Sequence, residues 1–192
     1  MIRIIRYTAK MKTEWDTFCK NSINGVFLFY RDYMDYHSDR FSDYSLVAMD
    51  AGKIIALLPA NRVGDKVFSH QGLTYGSWLM TDRCDAVTMM QVMEKAITFL
   101  KGDGVSELIY KPVPHIFHSY PAEDDLYALF RQGAVLSECT ISTTIDLDAP
   151  IRFDRGNRSA VNKAQRAGIV VSESNDLDAY WQVLQDVLDT RH

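Results

Sequence analysis

The chain is poor in cysteine, and what it has forms no pattern. Cys19, Cys84 and Cys139 are widely separated, odd in number, and include no C-x-x-C pair. That spacing points neither to a zinc site nor to a disulfide framework, and reads as buried free thiols in a reducing compartment. No apolar run approaches the length needed to cross a bilayer. The opening MIRIIRYTAK is too short and too charged for a secretory h-region. Internal repeats and low-complexity runs are also lacking. So is an excess of positive charge: the net charge is -4 and the sequence pI about 5.7. This argues against broad binding to nucleic acid or acidic membranes and leaves room only for a local basic patch. These absences together predict a soluble, cytoplasmic protein.

The usual signatures of covalent catalysis are missing as well. No Ser-His-Asp order, nucleophile elbow, P-loop or paired-carboxylate motif stands out. A transfer reaction run by positioning and proton shuttling fits that absence better than a covalent enzyme intermediate.

What the 192 residues do contain is a globular composition, 47% hydrophobic and 24% charged, with ten Tyr and nine Phe. The length suits one ordinary domain, or one domain and the start of another. The aromatic content reads as a core with a half-buried sheet, or as a ring-lined groove. Residues 2–8 look like a first strand. Thr13 is placed to cap a helix carrying Trp15, Phe18 and Cys19, and Asn24-Gly25 breaks the pattern. Residues 26–37 put Phe27, Tyr30, Met34 and His37 at helical spacings, predicting a second helix. Arg31, Tyr33 and His37 form a weak cluster on it, and Asp32 and Asp35 beside them read as surface pairing.

Three strand-like runs follow, Tyr44–Met49, Ile54–Ala60 and a run beginning at Val67, joined by turns at residues 50–53 and 63–66. They predict an antiparallel meander. Residues 84–100 carry an apolar stripe of Ala86, Met89, Met90, Met93, Ile97 and Leu100, with Gly102 where a C-terminal cap belongs. Residues 105–110 form a buried strand ended by Pro112 and Pro114. Glu123–Arg131 is a helix capped by Gly133, and Ala134–Leu147 holds another strand or hairpin arm. The order predicts an α/β layered fold whose mixed sheet is largely antiparallel.

The chain changes character after Pro150. Residues 151–168 form a basic helix bounded by Gly168, Ile169–Val171 a strand, and Asn175 or Asp176 caps a last helix with an apolar face. That face needs cover, from the first domain, a further lobe or a second copy in a homodimer. The expected division is a lobe over residues 1–150, then a linking helix, strand and the start of a second lobe over residues 151–192.

Several segments together carry a family resemblance. They are Trp15-Asp16-x-Phe18, FLFYRDYMDYH at 27–37, Arg40-Phe41 with Tyr44-Ser45-Leu46, and LLPAN at 57–61. SHQGLTYG at 69–76, YKPVP at 110–114, NRSAVNKAQRAG at 157–168 and Tyr180-Trp181 continue the series. In this order they resemble FemAB-like acyltransferases of the GNAT superfamily, which carry tandem GNAT-like lobes. The resemblance implies a GNAT-like layered fold and a transferase. It also implies an acyl-CoA or aminoacyl-tRNA donor, a peptidoglycan-precursor or other small-molecule acceptor, and a second lobe holding much of the donor site. This chain resembles the first lobe and the linking helix.

Acyl-CoA binding needs a glycine-rich strand-to-helix turn whose N–H groups hold the pyrophosphate. The nearest match, Gln165-Arg166-Ala167-Gly168-Ile169-Val170, runs from helix to strand and carries Val170 where a small residue is needed. Gly168 therefore reads as a helix cap. His70 and Gln71 end an apolar strand between residues that include Gly72 and Gly76, a place suited to a general base; a histidine bonded to backbone in a glycine-shaped loop is the alternative. In YKPVPHIFHSY at 110–120, Lys111, Tyr120 and the pair His115 and His118 make a rigid polar loop that could position substrate. No nearby Glu or Cys completes a metal ligand set. Arg152, Arg155, Arg158, Lys163 and Arg166 suit phosphate or carboxylate, or a solvated helix face. The candidates are thus His70 and Lys111 for catalysis, and Gln71, Tyr75, Tyr120, Arg155 and Arg158 for substrate. A non-catalytic, degenerate module used for binding or dimerisation is the competing reading.

Overall fold

The computed structural model describes residues 1–149 and 153–191. It divides into two compact units, Met1–Glu138 and Cys139–His192. Pro150, Arg152 and His192 lie outside the described residues.

The first unit is built on strands that are apolar on both faces. β1 (Arg3–Arg6), β2 (Leu46–Asp50), β3 (Lys53–Leu58) and β6 (Leu79–Met80) form an antiparallel sheet in the order β1-β2-β3-β6. Alternate residues of each strand point to opposite sides. On one side Leu46, Ala48, Ala56, Leu58 and Met80 pack against Met89, Val92, Met93, Ala96 and Leu100 of α3 (Ala86–Gly102), with Ala128 of α4 (Asp124–Arg131). On the other, Val47, Leu57 and Leu79 pack against Trp15 and Cys19 of α1 (Lys12–Asn21) and Met34 of α2 (Arg31–Asp35). The sheet is thus a middle layer between two helical layers. A second sheet, β4 (Asn61–Val63), β5 (Lys66–Phe68) and β7 (Glu107–Ile109), continues from it; β4 and β5 are antiparallel, β5 and β7 parallel. The expected mixed, largely antiparallel α/β layering is what forms.

Local chemistry moves several boundaries. The β2–β3 hairpin turns through Ala51 at φ 47° and Gly52 at φ 80°, the positive pair a type I′ turn requires. α1 starts without a side-chain cap, and Thr13 lies inside it. The second helix is shorter than its periodicity predicts. Residues Phe27–Phe29 make one 3-10 turn, Tyr30 is extended, and α2 keeps five residues. The break at Tyr30 is held from outside: the Trp15 Nε1–H donates to the Phe29 carbonyl at 2.8 Å, and the Arg31 N–H donates to Asp16 Oδ1 at 2.8 Å.

α3 begins on Asp85, whose carboxylate accepts from the Thr88 N–H. Its closing glycine is Gly104 rather than Gly102: Gly104 has φ 72°, its N–H donates to Lys101 O and that of Val105 to Leu100 O, a Schellman close. β5 stops at Phe68 because His70 turns to φ 61°. Residues 134–147 form no strand; no edge among the described residues pairs with them, and the run is exposed. Asn24, buried after α1, was not foreseen beyond its turn role. Its amide donates to Trp78 O and accepts from the Met80 N–H, covering the free edge of β6.

The second unit contains α5 (Arg155–Arg166) and α6 (Leu177–Arg191). Asp154 caps α5 through the Asn157 N–H, and Asp176 caps α6 through the Ala179 N–H. Gly168, at φ 76°, closes α5 with Ile169 N–H on Ala164 O, so it is a helix terminator. Ile169–Val171 pairs with no strand among the described residues. No helix among them is long and apolar enough to cross a membrane.

The largest correction concerns Arg31. Its side chain is 3% exposed, not a surface group. One guanidinium nitrogen donates to Asp35 at 2.5 Å and Asp43 at 2.7 Å, the other to Ser45 Oγ at 3.3 Å, and the plane lies 3.9 Å from the Tyr7 ring centroid. Removing one partner of such a buried pair is costly. Arg31→Ala should lower unfolding free energy by about 3 kcal/mol, the low end of that range because Asp35 and Asp43 keep contact with water; urea denaturation reads it, and a loss below about 1 kcal/mol contradicts the burial. Ala51→Asn should raise stability by about 0.5–1 kcal/mol by relieving a left-handed alanine. An unchanged urea midpoint would contradict the turn assignment.

Candidate functional site

Where the two sheets separate, β5 hands over to a turn that wraps the end of β7. The Ser69 N–H donates to Ile109 O, Ser69 Oγ accepts from the Lys111 N–H at 2.7 Å, and the Gly76 N–H donates to Lys111 O at 2.7 Å. Residues 69–76 therefore clasp Lys111 from both sides. The approach is close enough that a Cβ on Gly76 would stand 2.4 Å from Ser69 O, and one on Gly72 would stand 2.6 Å from the Phe41 ring. These glycines make room for the protein's own groups.

Lys111 is exposed, and its ammonium donates to Leu73 O at 3.1 Å. Among the described residues it forms no ion pair. A cation held by a carbonyl and not neutralised is suited to an anionic group. Gln71 is anchored by Asn61: the Gln71 N–H donates to Asn61 Oδ1 at 2.7 Å, and Asn61 Nδ2 donates to Gln71 Oε1 at 2.8 Å. Tyr75 packs its ring 5.4 Å from that of Phe117, bringing the 112–120 loop beside the 69–76 turn. Burial raises its phenol above the ordinary range.

His70 is 3% exposed, and its ring tilts against Phe41 at 5.6 Å. Nδ1 is enclosed with no protein partner. Desolvation pushes its pKa down to about 4, with the Asp43 charge pulling the other way and Arg31, His37 and Lys111 adding to the depression. At neutral pH it is an uncharged imidazole. His70, Gln71, Tyr75 and Lys111 thus share one junction. Tyr120 is exposed beyond the 3-10 turn His115–Phe117. Arg155 and Arg158 belong to α5 of the other unit, where they are exposed.

Residues that the sequence reading passed over also surround this junction. Asn61 escaped because an Asn at a strand end reads as a turn former. Asp125 escaped because it sits in no motif, and Tyr110 because in YKPVP it reads as the end of a buried strand. The Tyr110 hydroxyl donates to Asp125 Oδ2 and accepts from the Trp78 N–H at 2.7 Å.

The fit of a coenzyme A pyrophosphate can be judged at the strand-to-helix turns. β6 enters α3 through Thr81–Asp85, which contains no glycine. The Asp85 carboxylate already accepts the Thr88 N–H at 2.8 Å, and this bond holds its pKa below the usual carboxylate range. An anion would meet a carboxylate where it needs free N–H groups. β7 leads to α4 through residues 110–123, again without glycine, and α4 opens on Asp124 and Asp125. Neither of these two turns fits that pyrophosphate. Nor do they contain a group of three or more His, Cys, Asp or Glu side chains that could hold a metal ion.

No family model matches the chain, and no curated protein matches it. Solved structures do. AAC(6')-Iy, in complex with a bisubstrate analogue, CoA-S-monomethyl-acetylneamine, aligns with a TM-score of 0.50 at 13% identity, over 76% of this chain and 99% of that one. A transcriptional regulator from Bacillus halodurans C-125 aligns at 0.48 and 11%, over 76% and 100%. A ribosomal-protein-alanine N-acetyltransferase from Brucella melitensis biovar Abortus 2308 aligns at 0.47 and 10%, with the same coverage. The first of these likenesses establishes the architecture: this is a GNAT-like layered fold, a largely antiparallel sheet flanked by helices.

The burial of His70 has a measurable consequence. The unfolded chain binds a proton on this imidazole below pH 6.5, while the folded chain binds it only below about 4. Its contribution to stability is complete above pH 6.5 and is lost as pH falls towards 4, on the order of 3 kcal/mol in all. His70→Asn, which tolerates the positive φ, should shrink the difference in unfolding free energy between neutral and mildly acidic urea titrations. An unchanged difference would contradict the buried, neutral state.

Proposed function

We propose that this chain supplies the acceptor-side part of a FemAB-like acyl or aminoacyl transferase. An acceptor amine or hydroxyl attacks the carbonyl of an ester or thioester. The new N–C or O–C bond forms, the donor's C–O or C–S bond breaks, and the acceptor proton leaves to a base or to water. The supporting observation is the junction at residues 69–76 and 111, where an un-neutralised ammonium stands beside an enclosed neutral imidazole within a GNAT-like fold. Lys111 holds an anionic part of the substrate. His70 accepts or relays a hydrogen bond, its low pKa suiting it less to strong-base work. Gln71, Tyr75 and Tyr120 add hydrogen-bonding groups, and Arg155 and Arg158 on α5 suit phosphates of a nucleotide-linked peptidoglycan precursor or of aminoacyl-tRNA.

The second reading is a non-catalytic GNAT-like module kept for binding or for a homodimer. The Asp85 cap favours it, because it removes the donor's usual place. The two readings part on ligand binding by the chain of residues 1–192. A peptidoglycan nucleotide precursor should raise the melting temperature of the wild type by mass action, and Lys111→Ala should remove most of that rise. Acetyl-CoA should produce none. A rise with acetyl-CoA, or a precursor effect indifferent to Lys111, would overturn the acceptor-side assignment; no effect of any ligand leaves the binding-module reading.

A further inference from the structure

Beside the junction, the loop after β7 and the first turn of α4 enclose a cleft of about 210 Å³. Pro112, Pro114 and Leu126 give it apolar walls. Its polar lining is His115, His118, Glu123 and Asp125, with no lysine or arginine. The space suits a group of a few heavy atoms rather than a whole cofactor.

The chemistry of its polar groups is one-sided. Asp125 is 3% exposed. Its Oδ2 accepts from the Tyr110 hydroxyl and its Oδ1 from the Leu126 N–H at 2.9 Å. Both donors are neutral, and among the described residues no lysine or arginine lies within salt-bridge reach of it. A buried carboxylate without a cation is expensive to hold. Tyr110 cannot swing away to relieve it, because its oxygen is pinned by the Trp78 N–H at 2.7 Å. His118 Nε2 lies 3.2 Å from Val113 O. A carbonyl only accepts, so Nε2 carries a proton, which in the single-proton form of the ring leaves the lone pair on Nδ1. That Nδ1 is enclosed and has no protein partner. The cleft is therefore lined by two residues, Asp125 and His118, that carry acceptors, between apolar walls.

We propose that this cleft binds the ammonium head and first carbons of a primary alkylamine. The ammonium has three donors and no acceptor, the complement of this lining. It gives Asp125 a full counter-charge, where the protein offers no lysine or arginine and only the nearby His118 ring, and gives His118 Nδ1 the donor it lacks, while the prolines and Leu126 take the methylenes. Burial, which raises the Asp125 carboxyl above its ordinary range, is then offset by the bound charge. The site is distinct from the His70 turn and does not depend on acyl transfer being the function.

The test titrates the full chain at neutral pH with n-propylammonium, n-propanol and potassium ion at matched ionic strength. The imidazole nitrogens of His118 and the Leu126 amide are followed by NMR. The amine should bind saturably and move both signals, while the alcohol and potassium leave them unmoved. Asp125→Asn, which keeps the size of the side chain and an oxygen acceptor for the Leu126 N–H and turns its NH2 toward the Tyr110 oxygen, should weaken the amine at least about tenfold. Glu123→Gln, at the exposed rim, should weaken it about two- to threefold through lost attraction alone, and it keeps the test decisive if Asp125→Asn fails to fold. Equal binding of n-propanol would overturn the proposal, as would unmoved His118 and Leu126 signals. So would a His118 ring protonated on both nitrogens before amine is added, since the imidazolium would then be the counter-ion of Asp125.

Discussion

One guanidinium joins four parts of the first unit. Arg31 opens α2, stacks on Tyr7 just beyond β1, pairs with Asp43 ahead of β2, and reaches Ser45, whose hydroxyl also accepts from the Ala60 N–H after β3. Trp15 of α1 lies in reach of the same charge, 5.3 Å from ring centroid to guanidinium. An arginine can serve this way because its planar fork bonds in two directions while its face stacks on rings. Burial of the group commits its neighbours: Asp35 and Asp43 must stay close, and α1 and α2 must stay on one side of the sheet. The helical layer beneath the 69–76 turn therefore depends on one charge network rather than on apolar packing alone.

The electrostatics of the 69–76 turn and of the helix starts are opposite. At the 69–76 turn a free ammonium faces outward beside a neutral imidazole. At the starts of α3, α5 and α6 the chain supplies its own anions. Asp85, Asp154 and Asp176 each accept a backbone N–H from the first turn of a helix. Such caps stabilise a helix by about 1 kcal/mol each, and they occupy the positions that bind phosphate in phosphate-holding folds. Asp85, which stabilises α3, thus occupies a place where a donor's phosphate could bind. In this GNAT-like architecture the turns into α3 and α4 lack the local chemistry for a coenzyme A pyrophosphate.

Much of this was legible in sequence where the pattern was local and strong. The meander showed itself in the turns at 50–53 and 63–66, α3 in its methionine stripe, and the helix-closing role of Gly168 in its direction of travel. The faults came where distant groups decided. The 26–37 periodicity could not reveal that Trp15 and Asp16 would hold the backbone open at Tyr30. Nor could the D-Y-x-D spacing around Arg31 reveal burial, since surface pairs use the same spacing. Residues 134–147 alternate like a strand, yet a strand exists only with a partner edge. At the site, the turn at 69–76 and the loop at 110–120 stood out through their histidines and glycines. Asn61, Tyr110 and Asp125 did not, because their significance is a hydrogen-bond partner many residues away.

The claim on which the rest turns is that the start of α3 is closed to a donor's phosphates. Backbone amide NMR tests it directly: acetyl-CoA is added in excess while the signals of Asp85, Ala86, Val87 and Thr88 are followed. The account predicts that all four stay in place, because the Asp85 carboxylate already holds the Thr88 N–H and repels an incoming phosphate. Saturable movement of these four amides would contradict it and restore the coenzyme site to this turn.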